Sequence, residues 1–426
     1  MIKFTTFGLL FFLALSIPVG IVLFLLAFGI DAFFSPFPLM RGLGQVVWSS
    51  SNSATLIAIP FFVLLGEILV RCGVATRTYS ALNKWVSWLP GGLIHANIAT
   101  ATLFSATSGS SVATAATVAT VAMPQAEKLK YDPRLFSGAI AAGGTLGILI
   151  PPSINLIVYG FLTESSIPQL FLAGLLPGIL MALGFMLVTV ILCVIKPSLG
   201  GPRQQYSLGE KLGSLSDLLP ILGLFGVIVG SIYAGWATPT EAAAVGVAMA
   251  LAIAAQQRAL NIELLLLSLR GAIRTSAMVM LVVVGAYVLN YVLTAAGVSR
   301  ALQTLLRGLD MSPLATLFVI ILIYIVLGFF IETLSLMVAT IPIIVPIIVD
   351  LGYDKIWFGV LMIILVEMAL ITPPVGLNLY VVQSARKSGK FSDVMVGCIP
   401  YALVMLFMVA MLIVVPKLAL YLPSTL

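Results

Sequence analysis

The chain has 426 residues, of which 61% are hydrophobic and only 8% charged, with a mean hydropathy of +1.18 and a formal net charge of +6. Soluble domains carry about 25% charged residues, so a soluble globular protein is excluded and an integral protein of the lipid bilayer is expected. The Lys and Arg excess reads as the orientation signal of cytoplasmic loops, not as a nucleic-acid surface.

In lipid the backbone must satisfy its own hydrogen bonds, and the alternating polarity of a β-barrel is absent, so an all-α integral membrane protein is expected. The first apolar run, 4–30, follows Lys3. Ala14-Leu15-Ser16 loosely resembles a leader cleavage site, but the run continues to Ile30, so an uncleaved first span is expected. Further spans are expected at 51–72, 133–160, 170–195, 217–235, 237–257, 275–296, 356–385 and 394–424. Two regions, 92–128 and 313–350, are long but interrupted in the middle. Both are expected to be re-entrant hairpins. With a cytoplasmic N-terminus, this multi-pass reading puts 16 of the 21 Lys and Arg inside and 5 outside. Reading either hairpin as a full span would invert everything after it and spoil that bias. The first hairpin then opens from the cytoplasm and the second from outside, with the C-terminus periplasmic.

Each hairpin is followed by a span broken by Pro-Pro: GTLGILIPPSIN at 144–155 and EMALITPPVGLN at 367–378. Ser108 precedes Pro151 by 43 positions, and Glu332 precedes Pro373 by 41. Hairpin and broken helix thus occur twice in opposite orientation, the inverted-topology repeat of many secondary transporters. The expected division is scaffold helices at 1–90, a first transport half at 91–165, and scaffold and connecting helices at 166–310. A second transport half at 311–390 and a C-terminal helix at 391–426 follow.

Proline inside a helix removes a hydrogen bond and clashes with the preceding turn. Pro151-Pro152 and Pro373-Pro374 should therefore unwind their helices, or, in the blander reading, merely kink them. Unwound carbonyls at that depth need a partner, and a hard cation is one. The helix that restarts offers free N–H groups and a positive dipole end to an anion. The first tip, Ser105 to Ser111, supplies hydroxyls, and Gly109 permits the reversal. From Ala113 to Thr120 the small residues are read as packing. Glu332 at the second tip is an ionisable residue at an expensive depth, able to bind a cation, carry a proton or pair, with Thr333 and Ser335 beside it. Glu367, before the second break, stays open between a functional acid and a capped or paired structural one.

Other features are bland. Cys72, Cys193 and Cys398 are scattered and lack metal or disulfide spacing. The single histidine, His95, reads as a satisfied polar residue near a helix start. Glu67 and Arg71 are spaced as an i,i+4 pair. Thr238-Pro239-Thr240-Glu241 has the form of a helix start. No phosphate-binding GxxxxGK[ST] loop and no His/Cys cluster is present, so no enzyme activity or organic cofactor is expected.

Taken together, SGSSVATAAT, GTLGILIPPSINLIVYG, GWATPTEAAAVG and ITPPVGLNLYVV resemble the large membrane (M) subunit of tripartite ATP-independent periplasmic (TRAP) transporters. The resemblance runs over nearly the whole chain. It implies a bacterial inner-membrane protein with a transport domain moving like an elevator in a fixed scaffold. It also implies Na⁺-coupled import of an organic acid, a C4-dicarboxylate or a sialic acid, with a slight lean to sialic acid. Two partners follow: a small membrane (Q) subunit, expected as a separate chain, and a periplasmic substrate-binding (P) protein. Carried over by position in the hairpins and breaks, substrate contacts are expected from Ser105, Thr107, Ser153, Asn155, Thr333, Gly376 and Asn378. Na⁺ contacts are expected from Ser108, Gly109, Ser110, Ser111, Gly144, Thr145, Pro151, Glu332, Ser335, Thr372 and Pro373. With no arginine clearly at mid-membrane, backbone N–H groups and hydroxyls should hold the carboxylate.

Two other readings have some footing. Gly109-Ser110-Ser111-Val112 with His95 could serve an intramembrane serine protease, but His95 lies 16 residues before Ser111 on the same arm. Two hairpins could form a channel filter, but Pro-Pro breaks beside hydroxyl-rich tips suit an ion-coupled carrier better.

Overall fold

The computed structural model describes residues 2–15, 17–35, 38–202, 204–297, 311–386 and 388–425, and gives no side-chain placement for 2, 3, 6, 10, 13, 14 and 105–108. All regular structure among the described residues is helical.

The expected span at 4–30 is corrected to two helices, α1 (Ile2–Ala14) and α2 (Val19–Phe34). Pro18 stands at the joint, where it cannot donate to a helix and disfavours helical backbone at the residue before it. The ring of Phe4 meets Phe33 and Phe34 at centroid distances of 6.0 and 5.5 Å. The two helices therefore fold back on each other, and Lys3 lies at the same end as Asp31, not across from it.

In chain order there follow α3 (Leu43–Ser51), α4 (Ala54–Arg71), α5 (Val74–Val86), α6 (Leu93–Ser108) and α7 (Ser111–Leu129). Next come α8 (Pro133–Thr145), α9 (Ile154–Leu162), α10 (Ile167–Ile195), α11 (Leu208–Gly213) and α12 (Leu215–Tyr233). The remainder are α13 (Pro239–Gln256), α14 (Ile262–Ala295), α15 (Pro313–Gly328), α16 (Thr333–Asp350), α17 (Lys355–Ala369), α18 (Leu377–Ala385), α19 (Phe391–Val414) and α20 (Lys417–Leu420).

Seven segments among the described residues are long and apolar enough to cross a membrane. Their outward faces and those of their neighbours carry exposed Leu, Ile, Val and Phe, such as Leu183, Leu322 and Phe407. In water such a surface would aggregate; in a bilayer it is the solvated face.

Two packed groups meet. In one, α14 lies along α2, α3 and α4, and α13 packs on α4. Glu67 and Arg71 form the expected pair at 2.8 Å on α4. In the other, α8 packs on α6, α7 and, most extensively, α19. That crossing is tight because both helices present glycine: a Cβ on Gly138 would overlap the Gly397 carbonyl, and one on Gly397 the Arg134 carbonyl. Helix α10 packs on α6, α9, α17 and α19, so it sits with the hairpin-bearing group. Thr238 caps α13 through a reciprocal pair with Glu241, and Thr240 reaches across to the Ala54 carbonyl at 2.8 Å.

Candidate functional site at the hairpin tips

Each hairpin tip is a helix start of similar design. In the first, α6 reverses at Gly109, whose φ is +58°, and a Cβ there would lie 3.1 Å from the Ile154 side chain. Ser110 then caps α7, its Oγ accepting the Ala113 N–H at 3.3 Å. In the second, Glu332 caps α16, its carboxylate accepting the Ser335 N–H at 3.0 Å and hydroxyl at 2.9 Å. The first helical residue behind each cap bears a hydroxyl: Ser111 in one, Thr333 in the other.

The breaks are equally matched. Helix α8 tightens into a 3₁₀ turn at Leu146–Ile148, loses regular structure around Pro151-Pro152, and restarts as α9 behind Ser153. Helix α17 ends at Ala369 and the chain restarts as α18 behind Gly376, whose φ is +52°. Both Pro-Pro bonds are cis. Asn155 and Asn378 each occupy the second position of the restarted helix. The two units exchange partners: α7 packs on α18, and α16 packs on α9.

This exchange closes a cavity of about 90 Å³ between the tips. Its polar wall is Gly109, Ser110, Ser111, Asn155, Glu332 and Thr333. Ile148, Ile154, Leu334 and Leu370 add apolar surface, and Thr275, Met278 and Val279 of α14 form the far side. No Lys, Arg or His lines it among the described residues. The N-termini of α7, α9 and α16 open onto it. Beside it, a Cβ on Gly144 would stand 2.8 Å from the Ser111 carbonyl and 3.2 Å from the Asn378 amide nitrogen. That nitrogen donates to the Ala141 carbonyl at 3.0 Å. Four buried polar atoms here have no protein partner: Asn155 Nδ2, Thr333 Oγ1, Glu367 Oε1 and Asn378 Oδ1. Buried polar groups are nearly always satisfied; here Asn155 and Thr333 lie on the cavity wall, and Glu367 and Asn378 adjoin it through Ser111 and Gly144.

The structure thus brings together Gly109, Ser110, Ser111, Asn155, Glu332 and Thr333, with Gly144 and Asn378 adjoining. It puts Thr145, Ser153, Ser335 and Thr372 on local hydrogen bonds, to the Ala142 carbonyl, the Leu156 N–H, Glu332 and the Met368 carbonyl. Pro151, Pro373 and Gly376 shape the breaks and do not line the cavity. The side chains of Ser105, Thr107 and Ser108 lie outside the described residues. Thr275 escaped the sequence reading, and the relative depth of Glu367, which that reading left open, and Glu332 was reversed. Thr275 looks like any residue at the start of an apolar run. Glu367 is 1% exposed and accepts the Ser111 hydroxyl, whereas Glu332 is exposed. The protease alternative lacks its dyad: Ser111 faces Glu367, and His95 Nε2 sits 2.8 Å from the Pro90 carbonyl.

The family described as tripartite ATP-independent periplasmic transporter, DctM component, matches residues 6–418. The chain belongs to that family. Among curated relatives, this TRAP large permease is 35% identical to the C4-dicarboxylate TRAP transporter large permease protein DctM of Pseudomonas aeruginosa, over 90% of each chain. It is 31% identical to the sialic acid TRAP transporter large permease protein SiaM of Vibrio cholerae, over 89% of this chain and 88% of that one. Its fold resembles the crystal structure of the Alcanivorax borkumensis YdaH transporter, with a TM-score of 0.58 at 14% identity, covering 95% of this chain and 96% of that one. The permease is accordingly an all-α, multi-pass membrane transporter subunit.

Proposed function

We propose that this permease imports an organic acid, a C4-dicarboxylate or a sialic acid, across the bacterial inner membrane together with Na⁺, using an elevator movement. A small membrane subunit completes the membrane part, and a periplasmic binding protein delivers the substrate. The observation that carries this reading is the convergence of three helix N-termini, the orphaned Asn155 and Thr333 atoms and the Glu332 carboxylate on one cavity between two hairpin tips, with the buried Glu367 carboxylate joined to it through Ser111. Helix N-termini favour the carboxylate of a substrate. The carboxylates and unwound carbonyls favour a cation. A site with both offers coupling: each ligand improves the electrostatics for the other.

The cavity suits an ion and part of an acid, being smaller than the roughly 300–1,000 Å³ of small-molecule sites. Admission of a whole substrate then requires the tips to part from the wall formed by α14. Tyr287 of α14 donates to the Phe161 carbonyl at 3.1 Å, a contact that such a movement would break. A carrier with an alternating site accelerates exchange when substrate is present on the far side, so counterflow separates it from a hairpin-filter channel.

Ser110→Ala removes a tip oxygen and a helix cap worth about 1 kcal/mol. Na⁺-dependent uptake by this variant should need a several-fold higher Na⁺ concentration, at little change in membrane yield. An unchanged Na⁺ dependence would remove Ser110 from the cation site.

A further inference from the structure

Glu367 is the most deeply buried carboxyl among the described residues, and no cationic side chain meets it. The three ion pairs among those residues join Arg71 to Glu67, and Arg134 and Arg386 to Asp393. One carboxylate oxygen of Glu367 accepts the Ser111 hydroxyl from the first hairpin tip; the other has no partner. The Thr333 hydroxyl, from the second tip, lies beside the same carboxylate but completes no hydrogen bond. The charge of Glu332 acts on Glu367 as well, adding to the negative potential. An isolated buried carboxyl stays ionised only when a paired charge or a bound cation offsets the cost of burial.

The two units differ at this point. Glu367 and Thr145 each stand six positions before the first proline of their break. Thr145 turns its hydroxyl onto its own helix, at 2.7 Å from the Ala142 carbonyl. Only the second unit therefore places a charge under the tips.

We propose that Glu367 supplies the negative ligand of a monovalent cation held between the two hairpin tips, with Ser111 and Thr333 contributing their hydroxyl oxygens. The cation joins elements of both units, so its arrival draws the tips together over the substrate. This rests on the Na⁺-coupled reading above and adds to it the residue that carries the charge. Hard monovalent cations prefer oxygen ligands, and a full negative charge on one of them adds Coulomb attraction that neutral oxygens lack.

The test is direct binding of radiolabelled Na⁺ to the purified complex of this chain with its small subunit. Glu367→Gln keeps the shape and removes the charge; it should weaken binding at one site by about tenfold or more, while Glu367→Asp retains a measurable site. Thr333→Val breaks no hydrogen bond of the resting structure and should weaken binding a few-fold; it decides the matter if Glu367→Gln fails to fold. Wild-type binding retained in Glu367→Gln, or in Thr333→Val where that variant decides, overturns the assignment and leaves Na⁺ coupling standing. Absence of Na⁺ binding in the wild type overturns both.

Discussion

Replacing Pro373 and Pro374 together by alanine is expected to abolish uptake while leaving membrane insertion intact. Proline in a helix interior is disfavoured by about 3 kcal/mol relative to alanine. Removing two of them lets α17 and α18 run on as one helix. The Asn378 N–H now bonds the Leu370 carbonyl across the break at 3.1 Å, and its side chain reaches Ala141. A continuous helix cannot keep that placement, so Gly144 and the Ala141 carbonyl lose a neighbour. Uptake should fall by roughly 100-fold or more, the equivalent of about 2.7 kcal/mol. Pro177, inside the unbroken helix α10, is the control: Pro177→Ala should have a far smaller effect. Full activity in the double variant would mean that the second break is only a kink.

Gly138→Ala should destabilise the protein, although alanine is ordinarily the better helix former by about 0.5–1 kcal/mol. The new methyl group would overlap the backbone carbonyl of Gly397, which has no flexible end to move aside. Overpacking of this kind costs typically about 1–3 kcal/mol, and here α8 carries the first break, so displacement reaches the site. A lower unfolding temperature and reduced yield of monodisperse protein are expected. Gly223 on α12 has open space, with no atom within 4 Å of where a Cβ would stand, and Gly223→Ala should be neutral or slightly stabilising.

Much of this arrangement was legible in the chain because its signals are strong. Apolar runs give spans, Pro-Pro gives breaks, and SATSGSS between two apolar arms gives a tip. The first span misled because Pro18 lies in an apolar run long enough to cross, and length outweighed the proline. The two acids show a subtler limit. Glu332 stands between apolar residues and reads as the deeper charge; its position as a helix cap at a tip leaves it exposed. Glu367 sits on a helix whose neighbours bury it completely. Depth depends on which elements cover a residue, and the exchange of partners between the two units cannot be read from spacing. Thr275 and Val279 belong to the site for the same reason: α14 is brought there by tertiary packing alone.

Na⁺-coupled import of an organic acid through the tip site is tested most directly by uptake into liposomes containing this chain and its small subunit. Radiolabelled succinate and sialic acid are offered separately, each with its cognate binding protein, with and without an inward Na⁺ gradient. Uptake of one of the two that requires both the gradient and the binding protein is the predicted result. Uptake that proceeds without Na⁺, or without any binding protein, would contradict it.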